Sequence, residues 1–162
     1  MLRLTLVRHA KSSWADEKTK DFDRPLKERG FSDADLMADL VKEKNLIPDK
    51  IISSPALRAK TTAKIFAKKF KIKDIELDEN IYYKGLNEIE EIIALTDDKV
   101  KHLMLFGHQP YIAALHSYFT GDFLTHIPTT GISHLSFQLN NWEAISANTA
   151  SSIFVVYPKM FK

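Results

Sequence analysis

Short apolar stretches and amphipathic stretches take turns along this chain, and three of the junctions between them carry a cationic or imidazole residue. Leu2, Leu4 and Leu6 alternate with Arg3, Thr5 and Val7, which predicts a strand running straight into Arg8-His9. A polar loop over 11–23 follows, then a helical spacing of Leu36, Met37, Leu40 and Val41 within 26–44. Ile51-Ile52 predicts a short buried strand ending at Ser53-Ser54-Pro55, where Ser54 is a good N-cap and Pro55 suits the first helical position. The helix after it is expected to run to about Phe70. A second amphipathic helix is predicted over 86–95, then a strongly apolar strand over 100–106 that stops at Gly107-His108. A helix near 112–119 and two late strands, about 133–138 and 152–157, complete the pattern. Such alternation predicts one α/β domain over 1–162, a three-layer α/β/α sandwich around a mostly parallel sheet. The strand order is not legible.

Composition excludes several alternatives. With 44% hydrophobic and 27% charged residues, 5 Gly and 6 Pro, the chain is that of a folded domain with no low-complexity linker. No apolar run exceeds five residues, against the roughly 20 that a membrane-spanning helix needs. The N-terminal residues become charged too soon for a secretory signal, and the absence of Cys removes disulfides and thiolate chemistry. The expected compartment is therefore the cytoplasm. The net charge of +2 is spread along the chain. Its most basic stretch repeats Lys60, Lys64 and Lys68 every four residues opposite Ala59, Thr62, Ala63, Phe66 and Phe70, a solvated helix face rather than a nucleic-acid surface.

The chemistry concentrates where the strands end. In an open α/β sheet, ligands bind beyond the carboxyl ends of the strands. Arg8-His9, Arg58 and Gly107-His108 all fall at such ends, so three segments bring two guanidiniums and two imidazoles toward one crevice. Arginine forks match phosphate oxygens, helix N-termini add positive potential, and a neutral imidazole is a competent nucleophile toward phosphorus. An arginine in the first turn of a helix meets an unfavourable dipole unless an anion compensates it, which makes Arg58 informative by itself. The other histidines show no metal-binding spacing, and the five glycines are too scattered for a phosphate loop.

Leu6-Val7-Arg8-His9-Ala10 resembles the Arg-His-Gly signature of the histidine phosphatase, or phosphoglycerate-mutase-like, superfamily. The stretch from Ser53 to Ala63 resembles its Ser-Pro-x-x-Arg-Ala-x-x-Thr-Ala motif, and Leu105-Phe106-Gly107-His108 its late Gly-His motif. The order of the three is that of the family. The Arg8 to Trp14 opening, and Asp23-Arg24-Pro25-Leu26 followed by Gly30, are most similar to the SixA-type phosphohistidine phosphatases. Thr129-Thr130-Gly131-Ile132-Ser133 resembles a further stretch of that branch, either a loop at the edge of the site or an ordinary start of a strand.

The resemblance implies that His9 is the nucleophile and becomes transiently phosphorylated, and that Arg8, Arg58 and His108 hold the phosphoryl oxygens. Arg24 would guide the substrate phosphate. Lys11 and Ser12 either line the rim or belong to an exposed loop. Trp14 stacks on a substrate ring or, the preferred reading, covers the core. Ala10 replaces the usual glycine, which costs little unless its φ is positive. Glu79, in Leu77-Asp78-Glu79, is either the general acid of the superfamily or a surface carboxylate.

The implied activity is a phosphatase using neither metal nor cofactor and acting on phosphohistidine of a partner protein. The rivals are a phosphatase for small phosphate esters or anhydrides and a non-catalytic phosphate-binding module. Phosphate-like anions are expected to inhibit. Turnover should survive EDTA; loss with EDTA and recovery with a divalent ion would overturn this reading.

Overall fold

The computed structural model describes residues 1–162. Six strands form one sheet: β1 (Leu2–Arg8), β2 (Lys50–Ser53), β3 (Glu76–Leu77), β4 (His102–Gly107), β5 (Ile132–Phe137) and β6 (Ala150–Val156). Their order is β3-β2-β4-β1-β5-β6. The β3-β2, β2-β4 and β4-β1 pairs are parallel, and β5 and β6 add an antiparallel edge. The helices are α1 (Glu28–Glu43), α2 (Leu57–Phe70), α3 (Asn80–Tyr83), α4 (Leu86–Ala94) and α5 (Tyr111–Thr120).

The three-layer α/β/α sandwich expected from the alternation is the observed architecture. Leu2, Leu4, Leu6, Ile52, Leu103, Leu105 and Leu135 face Ile89, Ile93, Ile112, Leu115 and Phe119 of α4 and α5. On the opposite side of the sheet, Val7, Ile51, Met104, Phe106 and Ile132 pack on Met37, Ala38, Ala63, Phe66 and Phe70 of α1 and α2. Both faces of β4 are thus covered, and all six of its residues are buried, as a central parallel strand requires. The lysine-bearing face of α2 lies outside while Ala59, Thr62, Ala63, Phe66 and Phe70 are buried.

Two local expectations fail. The second helix starts at Leu57, not at Pro55, and its N-cap Ala56 has no side-chain cap. The Ser54 hydroxyl instead accepts the Ala56 N–H at 3.2 Å in a turn before the helix. Trp14 does not cover the core; it is 71% exposed, with the Arg24 guanidinium carbon 3.5 Å from its ring centroid. The loop carrying it passes outside the packed layers, so the indole covers a cation. The short β3 and α3 give no sequence signal, since both residues of β3 are exposed.

A polar cluster lies inside the sheet, away from the carboxyl ends of the strands. The Thr5 hydroxyl sits 2.6 Å from His102 Nε2 and 2.8 Å from His134 Nδ1. A hydroxyl has one proton to give, so it donates to one ring and accepts the N–H of the other. Burial lowers both imidazoles to about 4. In the unfolded chain these groups take up protons near pH 6.5, whereas the fold refuses them down to about 4. The unfolded state therefore binds more protons across that window, and stability falls as the pH falls. Each group accounts for on the order of 2–3 kcal/mol. Urea unfolding at pH 7.5, 6 and 4.5 should show this decline; a stability flat with pH would refute it.

Candidate active site

The register of the sheet brings the sequence motifs together. Arg8 pairs with Gly107 across β1 and β4, and Ser53 pairs with Phe106 across β2 and β4. Just beyond the strand ends, the His9 N–H donates to Gly107 O at 3.0 Å, and the Ser54 N–H donates to Phe106 O at 3.0 Å. Three chain segments therefore leave the sheet at one level. The His9 and His108 rings meet there with centroids 5.2 Å apart.

The backbone around His9 is held from several sides. The Ala10 N–H donates to Thr62 Oγ1 of α2 at 2.9 Å, and that hydroxyl donates to Arg58 O at 2.7 Å. Thr130, with φ of 60°, shares its N–H between Arg8 O at 3.2 Å and His9 O at 3.1 Å. The 129–131 stretch is thus a loop behind the site and Ile132 begins a strand. Ala10 does not have positive φ, so alanine serves where the family motif has glycine. Gly30 of α1 lies against the Lys11 carbonyl, where a Cβ would collide with the oxygen. Helix α1 consequently packs directly on the loop that follows His9.

Burial and neighbouring charges set the protonation state of His9. Its Nδ1 lies 2.8 Å from Ala10 O, so Nδ1 carries the proton and Nε2 keeps a free lone pair. Burial, with additional repulsion from His108, Arg58 and Arg8, lowers its pKa to about 3, so it is neutral at pH 7. His108 is lowered to about 4, by burial first and then by Arg58, and its Nε2 shares a hydrogen bond of 2.8 Å with Ser54 Oγ. Burial and the neighbouring Arg58 also lower Arg8. A desolvated pair of like charges is the environment that an anion relieves.

Some polar atoms of the cluster are left without partners. Arg8 Nη1 donates to Ile127 O at 2.9 Å, and Arg58 donates to Asp21 from Nη1 and Nη2, yet both Nε atoms are buried without a partner. His108 Nδ1 is likewise unpartnered. Buried donors left unpaired cost about 1–3 kcal/mol each.

The remaining predicted residues divide. Arg24 belongs to the cluster: its Nη1 donates to the buried Ser12 Oγ at 2.8 Å and its Nε to Asp21 Oδ1 at 3.2 Å. Ser12 thus supports Arg24 rather than lining an open rim. Lys11 is half-buried and lends its carbonyl to the Lys27 N–H. Glu79 is exposed and makes no ion pair with the arginines. Sequence reasoning missed Asp21 and Tyr82, whose hydroxyl donates to Asp21 Oδ2 at 2.6 Å. The Tyr82 ring stands 5.6 Å from that of His108. Only the compensating anion that a first-turn arginine demands pointed to Asp21. No cluster of three or more His, Cys, Asp or Glu side chains is placed to hold a metal ion, and no helix is long and apolar enough to cross a membrane.

Comparison with known proteins agrees with this geometry. The profile of the Histidine phosphatase superfamily (branch 1) matches residues 4–90. A SixA of Agrobacterium tumefaciens, assigned as a phosphohistidine phosphatase, superposes with a TM-score of 0.84 at 30% identity, covering 97% of this chain and 98% of that one. The protein histidine phosphatase SixA in complex with tungstate gives 0.85 at 19% identity, over 99% and 100% of the two chains. Among curated relatives, an uncharacterised chloroplastic protein of Arabidopsis thaliana is 44% identical over 62 residues, 38% of this chain and 28% of that protein. A 2,3-bisphosphoglycerate-dependent phosphoglycerate mutase of Bifidobacterium longum is 42% identical over 67 residues, 39% of this chain and 26% of the mutase. The match thus spans about a quarter of those curated relatives.

If the unpartnered Nε donors receive an oxyanion, Arg8→Ala and Arg58→Ala should each weaken tungstate binding by tenfold or more. Each should cost roughly 2–4 kcal/mol in kcat/KM, the scale of losing one oxyanion donor. Tungstate affinity unchanged in both variants, measured by calorimetry, would place the anion elsewhere.

Proposed function

Because the chain belongs to the histidine phosphatase superfamily, we propose that it removes phosphate from phosphohistidine on a partner protein, through a phosphoryl group carried transiently on His9. Residues 1–162 act as one domain, in the cytoplasm. His9 Nε2 attacks phosphorus, and the bond from phosphorus to the substrate nitrogen breaks with its electron pair remaining on the substrate ring. Arg8, Arg58 and His108 receive the phosphoryl oxygens, and Arg24 guides the phosphate from the rim. Water then attacks the phosphorylated His9, releasing inorganic phosphate and a proton.

The observation that carries this reading is the lack of a positioned acid. An alkyl ester leaves as an alkoxide and gains about 10²–10⁴-fold from a general acid. Glu79 is exposed and makes no ion pair with the arginines. Asp21, the carboxylate within the cluster, is driven upward by burial but held at about 2 by the Tyr82 hydroxyl and by Arg58 and Arg24, so it has no proton to give at pH 7. Phosphohistidine needs none, since its ring protonates on the distal nitrogen near neutral pH and departs as neutral imidazole. The second half-reaction has the same logic. The Ala10 carbonyl keeps a proton on Nδ1, so His9 also departs from phosphorus as neutral imidazole.

Three measurements test the proposal together. His9→Ala should abolish turnover and remove an acid-labile, base-stable phosphoryl label trapped on the wild type. Wild type should favour phosphohistidine over phosphoserine in kcat/KM. Glu79→Gln should keep phosphohistidine turnover within about twofold, against the 10²–10⁴-fold loss expected of a general acid. Equal collapse of both activities in Glu79→Gln, or a preference for alkyl esters, would favour the small-ester phosphatase instead.

A further inference from the structure

Asp21 is the one acidic residue bonded into a cluster of arginines. It begins a single 3-10 turn, Asp21–Asp23, and stands half-exposed where that turn meets the N-terminus of α2. Its backbone carbonyl accepts from Arg58 Nη1 at 2.7 Å while its Oδ2 accepts from Arg58 Nη2 at 3.1 Å. One residue therefore spends the outer edge of the Arg58 guanidinium and leaves Nε as the unpaired donor. Oδ1 takes Arg24 Nε at 3.2 Å, so the same carboxylate also fixes the second arginine. Tyr82 completes the set with a hydrogen bond of 2.6 Å to Oδ2.

Charge gives this clamp a second consequence. Arg8, Arg24 and Arg58 carry three positive charges, and both imidazoles are neutral at pH 7. Asp21 brings the sum to 3 − 1 = +2, which matches a phosphoryl dianion. Without it the pocket would carry +3, and the dianion would be held more tightly both as substrate and as released phosphate. Uniformly tighter binding does not speed the chemical step, and it slows escape of the product.

We infer that Asp21 is a positioning residue that fixes the Arg58 and Arg24 guanidiniums beside His9 and His108 and, by its charge, limits how tightly the site retains phosphate. The inference rests on the reading of that pocket as a phosphoryl site. Asp21→Asn keeps an amide oxygen for Arg58 but deletes the charge. Tungstate and inorganic phosphate should then inhibit at concentrations about tenfold lower, by removal of one nearby repulsive charge. Turnover limited by product release should fall in kcat more than in kcat/KM. Tyr82→Phe changes the balance in the opposite sense, because the carboxylate loses a donor that offsets its charge; tungstate should bind about two- to threefold more weakly. A purely structural role predicts weaker anion binding in both variants, and that result, or no change in a folded Asp21→Asn protein, would overturn the inference. Should wild type neither bind tungstate nor hydrolyse phosphohistidine, the reading of the pocket falls and takes the inference with it; a wild type active on phosphohistidine with unresponsive Asp21 variants sinks the inference alone.

Discussion

Two backbone hydrogen bonds past the ends of the strands, from the His9 N–H to Gly107 O and from the Ser54 N–H to Phe106 O, set the level at which β1, β4 and β2 release the chain. Everything in the site depends on that alignment. A one-residue slip of β1 against β4 would turn Leu2, Leu4 and Leu6 away from the core that they share with α4 and α5. Burial of the leucines therefore fixes the register, and the register fixes where His9 stands relative to His108. The hydrophobic pattern of a seven-residue strand is in this sense the first determinant of the catalytic geometry.

The site is held together against its own electrostatics. Arg8 and Arg58 are desolvated and repel each other, and two imidazoles are buried in forms that refuse a proton. Burial and mutual repulsion disfavour the charged forms of Arg8, His9 and His108. The packing around them supplies the compensation: Thr62 ties the loop after His9 to α2, Thr130 holds the carbonyls of Arg8 and His9, and α1 meets that loop at a glycine because no side chain fits. The proposed binding of a phosphoryl dianion fits this asymmetry, since donors satisfied within the protein would have nothing left to offer a ligand.

Much of this was legible in the sequence, for reasons that differ by residue. The strand into Arg8-His9 and the buried face of α2 follow from periodicities of two and about four, which depend on local geometry alone. The meeting of Arg8, His9, Arg58 and His108 was legible because strand ends in a parallel sheet share one edge. Ser54 was misread as a cap because its hydroxyl has two competing partners, and His108, far along the chain, is one of them. Trp14 was misread because a large aromatic usually seeks a core, and nothing local announces that Arg24 lies beneath it. Asp21 reaches Arg58 across 37 positions and Tyr82 across 61, and pairing at such range leaves no periodic trace. The β3-β2-β4-β1-β5-β6 order belongs to the same class, since each crossover is decided by helices packing on opposite faces.

The protonation state of the site follows from its burial and its charges. His9 and His108 sit at about 3 and 4, far below neutrality, so both rings are neutral at pH 7. A phosphoryl dianion reverses the dominant field, and a negative group within about 4–6 Å raises the pKa of an imidazole. His9 cannot use that gain at Nε2, where the bond to phosphorus forms, and its Nδ1 already carries a proton shared with Ala10 O. His108 can use it, because its ring is neutral, with Nδ1 unpartnered and Nε2 sharing a hydrogen bond with Ser54 Oγ. The field of the substrate thus acts on the two histidines in different ways. In the proposed reaction it leaves His9 neutral for the attack and makes His108 the stronger donor beside the phosphoryl oxygens.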